Sequence, residues 1–175
     1  MMIRRAAVDD LAGIFEIYDA EVLRGIGTFD TVCKTAAERH DWLASHAAAR
    51  YPALVAVEPD HGGTRVLGWA TLSPWSTRCA YARAAESSVY VHASARWRGV
   101  GRSLMEALLG GAPAQGVAQV LARVVEGNPA SLALHERLGF ETVGVLRRVG
   151  EKFGRVLDVR VMQKGLEGPV FGASC

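Results

Sequence analysis

The 175-residue sequence predicts a single α/β domain on a mixed sheet, with the element order β-α-α-β-β-β-α-β-α-β-β. Two observations lead to this prediction. Apolar residues recur with helical spacing in several segments, and short β-branched runs bounded by turn residues lie between those segments. Strands that follow each other directly predict hairpins, whereas strands separated by a helix predict crossovers, so the sheet should contain both strand orientations.

The first half of the chain predicts a strand, two helices and a hairpin. Asp9 can cap the first helix, and a glycine-containing loop over 25–30 follows it. Thr35 and Glu38 have the spacing of a capping box that starts the second helix. The predicted elements are a strand over 3–6, a helix over 10–23, a helix from 36 to about 50, and strands over 53–58 and 66–73.

The second half predicts two crossover helices and a final hairpin. Asn128 and Pro129 are typical of a helix start, and Gly139 is typical of the residue just after a helix end. The segment over 74–84 has no clear period. The predicted elements are a strand over 86–92, a helix over 101–112, a strand over 117–125, a helix over 129–138, and strands over 140–150 and 155–163.

Composition excludes several classes of protein. The net charge of +2 gives no broad electrostatic field, so we expect neither a nucleic-acid partner nor a membrane partner. The sequence shows no signal segment and no apolar run of about 18 residues, which favours a cytoplasmic location. Cysteine spacing fits no zinc site, and we expect no metal. No linker divides 1–165, which we treat as one domain, with 166–175 as a loosely held tail.

The segment over 86–104 carries the most chemical information. An apolar strand runs into a basic turn that contains Gly99 and Gly101, and the turn opens an amphipathic helix. Glycines allow close backbone approach, and unpaired N–H groups at a helix start favour an anion. The spacing fits neither a P-loop nor the dinucleotide fingerprint. Taken alone, the motif supports a phosphate-binding turn and an ordinary turn with surface arginines equally.

Longer segments resemble a known family. They are Phe15–Tyr18, Thr28-Phe29, Tyr51-Pro52, Glu86–Val91, Arg96–Gly101, Asn128, Ser131–Phe140, Lys152–Arg155 and Leu157-Asp158. Over residues 3 to about 164 the chain resembles the phosphinothricin acetyltransferase group of the GNAT superfamily. This resemblance implies the GNAT acyl-CoA N-acyltransferase fold, acetyl-CoA as co-substrate, a homodimer, and acetylation of a small amino-acid-like acceptor of the phosphinothricin or methionine sulfoximine type.

The resemblance also implies a cofactor site. The pyrophosphate would bind the N–H groups from Trp97 to Arg102, and pantetheine would pair with a strand edge at 89–91. Trp97 stands where many relatives have glycine, and its ring either covers the adenine or ribose or packs on the surface. Asn128 either contacts the cofactor or only caps a helix. The implied cofactor-binding residues are Val89, Tyr90, Val91, Arg96, Trp97, Arg98, Gly99, Val100, Gly101, Arg102 and Asn128.

Two residues are candidates for proton transfer. Glu86 matches the family's general base, which removes a proton from the acceptor ammonium; the alternative is a surface glutamate beside Arg83. His135 matches a position that handles the leaving thiolate or a second proton; the alternative is a structural histidine. A backbone N–H near Val89 is expected to stabilise the oxyanion, provided that strand pairing breaks there.

The acceptor site is predicted from the irregular segment and from two loops. Arg78 would pair with a substrate carboxylate, and Phe29 would form an apolar wall unless it only packs in the core. The turn at 152–155 would close the pocket, from the same chain or from a partner subunit. Ser87 stands where relatives often have His or Thr. The predicted substrate-binding residues are Phe29, Ser76, Thr77, Arg78, Tyr81, Glu86, Ser87 and Ser88.

Two other functions remain open at this point. A protein or peptide N-acetyltransferase would share the fold but needs an open, elongated groove. A non-catalytic CoA-binding sensor would bind CoA without depending on the carboxylate of Glu86.

Overall fold

A computed structural model describes residues 1–48, 50–60 and 63–166. Of the predicted tail, only Leu166 belongs to these residues, and its N–H donates to the carbonyl of Ala118 at 2.9 Å. The helices are α1 (Leu11–Arg24), α2 (Ala36–Ser45), α3 (Val100–Gly111) and α4 (Pro129–Arg137). The strands are β1 (Met2–Arg5), β2 (Ala53–Asp60), β3 (Gly63–Pro74), β4 (Ala84–Val91), β5 (Gln119–Val125), β6 (Glu141–Lys152) and β7 (Arg155–Gly165).

The strands form one seven-stranded sheet in the order β1-β2-β3-β4-β5-β7-β6. The β4–β5 pair is parallel, and the other five pairs are antiparallel. The predicted mixed α/β class and element order are therefore confirmed. Across the described ranges, no helix is both long enough and apolar enough to cross a bilayer.

Apolar side chains fill both faces of the sheet. On one face, Leu104 and Leu108 of α3 pack against Ala70 and Leu72 of β3. On the other face, α1 packs against a cluster that includes Trp69 of β3. Successive β3 residues thus point to opposite sides, as the period of a strand requires. The same alternation separates the side chains of β4 into two sets.

The end of the second helix and the capping residue of the first differ from the prediction, and every other predicted boundary lies within three residues of the observed one. The second helix ends at Ser45, because the N–H of His46 turns back to the carbonyl of Leu43 and the chain soon reaches Pro52. Asp10 rather than Asp9 organises the first helix start. Its buried carboxylate accepts the N–H of Ala7 at 2.8 Å and two bonds from Arg4 at 2.6 and 2.8 Å.

The parallel pair at the centre of the sheet is very short. β4 pairs with β5 only from Ala84 to Glu86, opposite Gln119 to Leu121. We call the point where the two strands part the fork. There, the Ser87 hydroxyl donates to the carbonyl of Leu121 at 3.2 Å.

Beyond the fork, one edge of β4 has lost its neighbouring strand. The even-numbered residues of β4 exchange backbone hydrogen bonds with β3. The same pattern continues just past both strands, where the N–H of His92 donates to the carbonyl of Leu67 at 2.8 Å. In an antiparallel ladder the alternate residues direct their backbone groups away from that partner. The backbone groups of Val89 and Val91 therefore face the side where β5 has diverged, as the oxyanion hypothesis requires.

Candidate active site

The turn before α3 is held in an unusual backbone conformation. Gly99, which precedes the first residue of α3, has φ +79°, and a Cβ placed there would meet no atom within 4 Å. Trp97 also has a positive φ, +65°, and its side chain is 90% exposed.

The arginines of this turn all have acidic partners. Their positive charge is therefore balanced by neighbouring carboxylates, and the N–H groups at the start of α3 are the donors available to an anion. The pairs are Arg96–Glu21 at 2.9 Å, Arg98–Glu58 at 2.8 Å and Arg102–Glu106 at 2.8 Å.

Gly101 has a packing role. A Cβ at this position would lie 3.3 Å from Val91 and 3.4 Å from Leu134, so the missing side chain lets α3 approach β4 and α4 closely. Asn128 caps α4, because its Oδ1 accepts the N–H of Ser131 at 3.1 Å. The capping alternative for Asn128 is therefore present in the structure, and its contact with a cofactor stays a prediction.

A cavity of about 140 Å³ lies on the opposite face of β3 and β4, beside α1 and α2. Aromatic rings make up half of its lining, and hydroxyl, carboxylate and ammonium groups complete it. Such a mixture suits a small ligand with an apolar side chain and a polar head group. The lining residues are Phe15, Tyr18, Asp30, Lys34, Trp42, Trp69, Thr71, Ser73, Ser88 and Tyr90.

Two tyrosines hold the 25–30 loop beside this cavity. The Tyr18 hydroxyl donates to Asp30 at 2.7 Å and lies 2.9 Å from the Thr28 hydroxyl, and the Tyr90 hydroxyl donates to the carbonyl of Gly27 at 3.2 Å. Burial raises the pKa of both phenols. They therefore remain neutral hydrogen-bond donors and serve as anchors for the loop.

Glu86 lies next to the fork and beside the cavity, without being one of the residues that line it. It pairs across the sheet with Ser73 and precedes Ser88 by two residues, and both serines line the cavity. Its side chain is only 19% exposed. Arg123, rather than Arg83, is its partner. The guanidinium donates to Oε1 and Oε2 of Glu86, each at 2.6 Å.

His135 is buried in α4, with 3% of its surface exposed. Nδ1 lies 2.8 Å from the carbonyl of Ser131, and the ring packs edge-on against Phe140. Within the described residues Nε2 has no hydrogen-bond partner. Burial lowers the pKa of this imidazole, so the ring is neutral near pH 7. Since a carbonyl only accepts, Nδ1 carries the proton and Nε2 is an unused acceptor.

The other predicted acceptor residues are spread over several surfaces. Ser88 lines the cavity, whereas Ser87 points to the opposite face and bonds Leu121. The remaining four positions of the irregular segment do not line the cavity. Arg78 and Tyr81 are exposed on the 3-10 turn at Cys79–Tyr81 and its flank, and Ser76 and Thr77 precede them.

The final hairpin is fastened to the 25–30 loop. The buried ammonium of Lys152 donates to the carbonyls of Thr28 at 2.8 Å and Glu21 at 3.0 Å. The ring of Phe29 occupies the space that a Cβ on Gly150 would need. Phe29 thus packs against the hairpin beside the cavity rather than lining it. In the part of the chain that the structure describes, no group of three acidic, His or Cys side chains could hold a metal.

Sequence reasoning missed Arg123 and most of the aromatic lining. Arg123 lies 37 residues from Glu86, and the two meet only because β4 and β5 are neighbours in parallel register. The alternation of side chains along a strand places Glu86, Ser88 and Tyr90 on one face, so the cavity side of β4 could have been predicted from the sequence.

Known proteins resemble this chain over nearly its whole length. An L-methionine sulfoximine/L-methionine sulfone acetyltransferase of Pseudomonas aeruginosa is 40% identical over 165 residues, covering 94% of each chain. A phosphinothricin acetyltransferase structure from Sinorhizobium meliloti, in complex with acetyl-CoA, matches with a TM-score of 0.90 and 36% identity over 99% of this chain and 92% of that one. A ribosomal-protein-alanine N-acetyltransferase structure from Brucella melitensis matches with a TM-score of 0.88 and 36% identity, covering 95% and 100%.

The fold and these similarities make the protein an N-acetyltransferase that uses acetyl-CoA. The chain belongs to the acetyltransferase (GNAT) family, whose model matches residues 14–140. The family resemblance seen in the sequence and the choice of co-substrate are thereby confirmed. The homodimer stays a prediction.

Proposed function

We propose that the protein transfers the acetyl group of acetyl-CoA to the amino group of a small amino-acid-like acceptor of the methionine sulfoximine or phosphinothricin type. The observation that carries the proposal is the position of Glu86. Glu86 stands at the fork, with the β4 edge from which β5 has diverged on one side and a small aromatic cavity on the other. Relatives with those acceptors in their names support the choice of substrate class.

Acetyl-CoA supplies an acetyl group activated as a thioester. The residues of this chain fit it in two places. The N–H groups at the start of α3, beside the left-handed Gly99, would hold the pyrophosphate. The backbone groups of Val89 and Val91, directed into the gap beyond the fork, would bind the amides of pantetheine and one carbonyl oxygen.

Glu86 would take one proton from the acceptor ammonium, which frees the lone pair of the nitrogen for attack. Formation of the amide requires a second proton to leave that nitrogen, and the departing sulfur takes up one proton, so one proton is released per turnover. The neutral Nε2 of His135 is an acceptor without a partner among the described residues, and it is the candidate for the second proton by resemblance. The ring packs against Phe140 and does not line the cavity, so this role rests on the resemblance rather than on contact with the acceptor site.

The test is thiol release from acetyl-CoA with a panel of L-methionine sulfone, phosphinothricin, simple amines and a peptide with an N-terminal alanine. We expect turnover with the amino acids, and Glu86→Gln should lower kcat by about 10²–10⁴-fold, with partial recovery at high pH. Glu126→Gln is the matched control, because Glu126 also accepts two bonds from an arginine, Arg160, outside the cavity.

Each alternative function gives a different result. Turnover of the peptide alone would show a protein N-acetyltransferase. Tight CoA binding without turnover of any amine would show a sensor and would overturn the proposal.

A further inference from the structure

The carboxylate proposed as the base is held in a bidentate ion pair. Each oxygen of Glu86 accepts one N–H of Arg123 at 2.6 Å. The Arg123 side chain is 56% exposed and that of Glu86 is 19% exposed, so the guanidinium side of the pair faces solvent. The guanidinium lies 5.9 Å from the ring centre of Trp75. Each oxygen of Glu86 keeps a second lone pair, but an ammonium that approaches it meets the positive charge of the guanidinium on the same carboxylate.

We propose that Glu86 and Arg123 together form the recognition site for the charged head group of an α-amino acid, an inference that rests on the function proposed above. The head group carries an ammonium and a carboxylate on one carbon, so it can replace one ion pair by two. The substrate carboxylate takes the place of Glu86 on the guanidinium fork of Arg123. The substrate ammonium takes the place of the guanidinium on Glu86.

The exchange conserves charge and hydrogen bonds. Two N–H donors of Arg123 move from one carboxylate to another, and Arg123 keeps the planar bidentate geometry that guanidinium groups favour. Arg123 stays charged throughout, because a guanidinium is not deprotonated at physiological pH, and pairing with Glu86 raises its pKa further while that pair lasts. The ammonium then lies against the oxygens that the guanidinium has left, and one of its protons passes to Glu86.

This exchange also selects substrates. An amine without a carboxylate leaves Arg123 on Glu86 and must compete with a guanidinium for the base. An α-amino acid releases the base as it binds. The preference for amino acids over other amines then comes from the Glu86–Arg123 ion pair, and the aromatic cavity selects among the side chains of the amino acids.

The structure favours Arg123 over Arg78 for this role. Neither arginine lines the cavity, but Arg123 contacts Glu86 directly, whereas Arg78 is exposed on the flank of a 3-10 turn. Both arginines carry the charge that a carboxylate needs, so the two assignments can be separated by substitution.

The experiment compares L-methionine sulfone with its α-carboxamide as acceptors. Arg123→Gln should lower kcat/KM for the acid on the order of 10²-fold and leave the value for the carboxamide unchanged or higher. Arg123→Lys should recover only part of the loss, because lysine cannot bind a carboxylate bidentately. Arg160→Gln breaks the matched pair between β7 and Glu126, which follows the last residue of β5, and it should leave kcat/KM unchanged for both acceptors.

An equal loss for both acceptors in Arg123→Gln would show that Arg123 only positions Glu86. A collapse of the acid preference in Arg78→Gln would assign the carboxylate to Arg78. Either result overturns the inference.

Calorimetric binding of a panel of L-amino acids separates this inference from the proposed function. If amino acids bind in a way that requires Arg123 but no acetyl transfer is detected, the proposed function is refuted and the recognition site is supported. Equal binding by wild type and Arg123→Gln, or no binding of any α-amino acid, would refute the recognition site.

Discussion

The Nδ1 atom of His135 lies 2.8 Å from the carbonyl oxygen of Ser131, one turn earlier in α4. This bond uses the only ring proton of the neutral imidazole. The tautomer is therefore set by the helix itself, and within residues 1–48, 50–60 and 63–166 the Nε2 lone pair has no hydrogen-bond partner.

Buried histidines should make stability fall in mild acid. Burial lowers the pKa of His46 and His135 below the ordinary value of 6.5. Below about pH 6.5 the unfolded chain therefore binds protons that the folded chain does not. The free energy of unfolding falls with pH until the folded histidines titrate, by at most about 1.4 kcal/mol per pH unit for each group.

Urea unfolding between pH 7.5 and 5.5 measures this slope. His135→Gln should reduce it, whereas His40→Gln, at an exposed position of α2, should leave it as in the wild type. Identical slopes in the wild type and His135→Gln would mean that the folded imidazole takes up its proton as easily as the unfolded one.

Replacing Trp97 by glycine should stabilise the turn before α3. The residue has φ +65°, and a Cβ in this conformation is strained. Trp97→Gly removes that strain, partly offset by greater freedom of the unfolded chain, for a gain of up to about 1 kcal/mol. Thermal unfolding is the measurement. Trp97→Ala keeps the Cβ and should not be stabilised; equal gains in both variants would assign the effect to loss of the exposed ring.

Lys152→Met should weaken the 25–30 loop. Burial lowers the pKa of Lys152, and its ammonium satisfies the carbonyls of Thr28 and Glu21. Methionine fills a similar volume without these bonds, so we expect unfolding to become about 2 kcal/mol easier. Because the loop carries Asp30 of the cavity lining, KM for the acceptor should rise while KM for acetyl-CoA stays constant.

The control for this variant is Arg155→Met, an exposed cation in the same hairpin. Lost stability with an unchanged acceptor KM would show that Lys152 supports the fold without shaping the cavity.

The sequence predicted the order of elements because apolar periodicity and turn residues are local signals. The capping box of Thr35 and Glu38 is an example, and the structure contains both of its reciprocal bonds. The end of the second helix was harder to predict. The hydrogen bond from the N–H of His46 back to the carbonyl of Leu43 ends the helix there, in competition with a helix that continues for a few more residues. Such competition depends on small free-energy differences that a single sequence does not show.

The chemistry of the site was only partly predictable for a related reason. Glu86 and the turn before α3 lie within one short segment, and a motif can describe them. The partner of Glu86 comes from β5, and the cavity is assembled from two helices, the loop that joins them, and two strands. These neighbours depend on strand register and helix packing, which are tertiary properties. For the same reason, Ser87 was predicted beside the acceptor although its side chain points to the opposite face.

The fork has a consequence for evolution and for engineering. Extending the β4–β5 ladder past Glu86 would satisfy more main-chain groups and give a sturdier sheet. The same change would close the gap between β4 and β5 in which we propose that acetyl-CoA binds. A search for thermostable variants that rewards regular pairing would therefore tend to select well-folded proteins without activity, and the residues around Ser87 and Leu121 are the ones to leave unchanged.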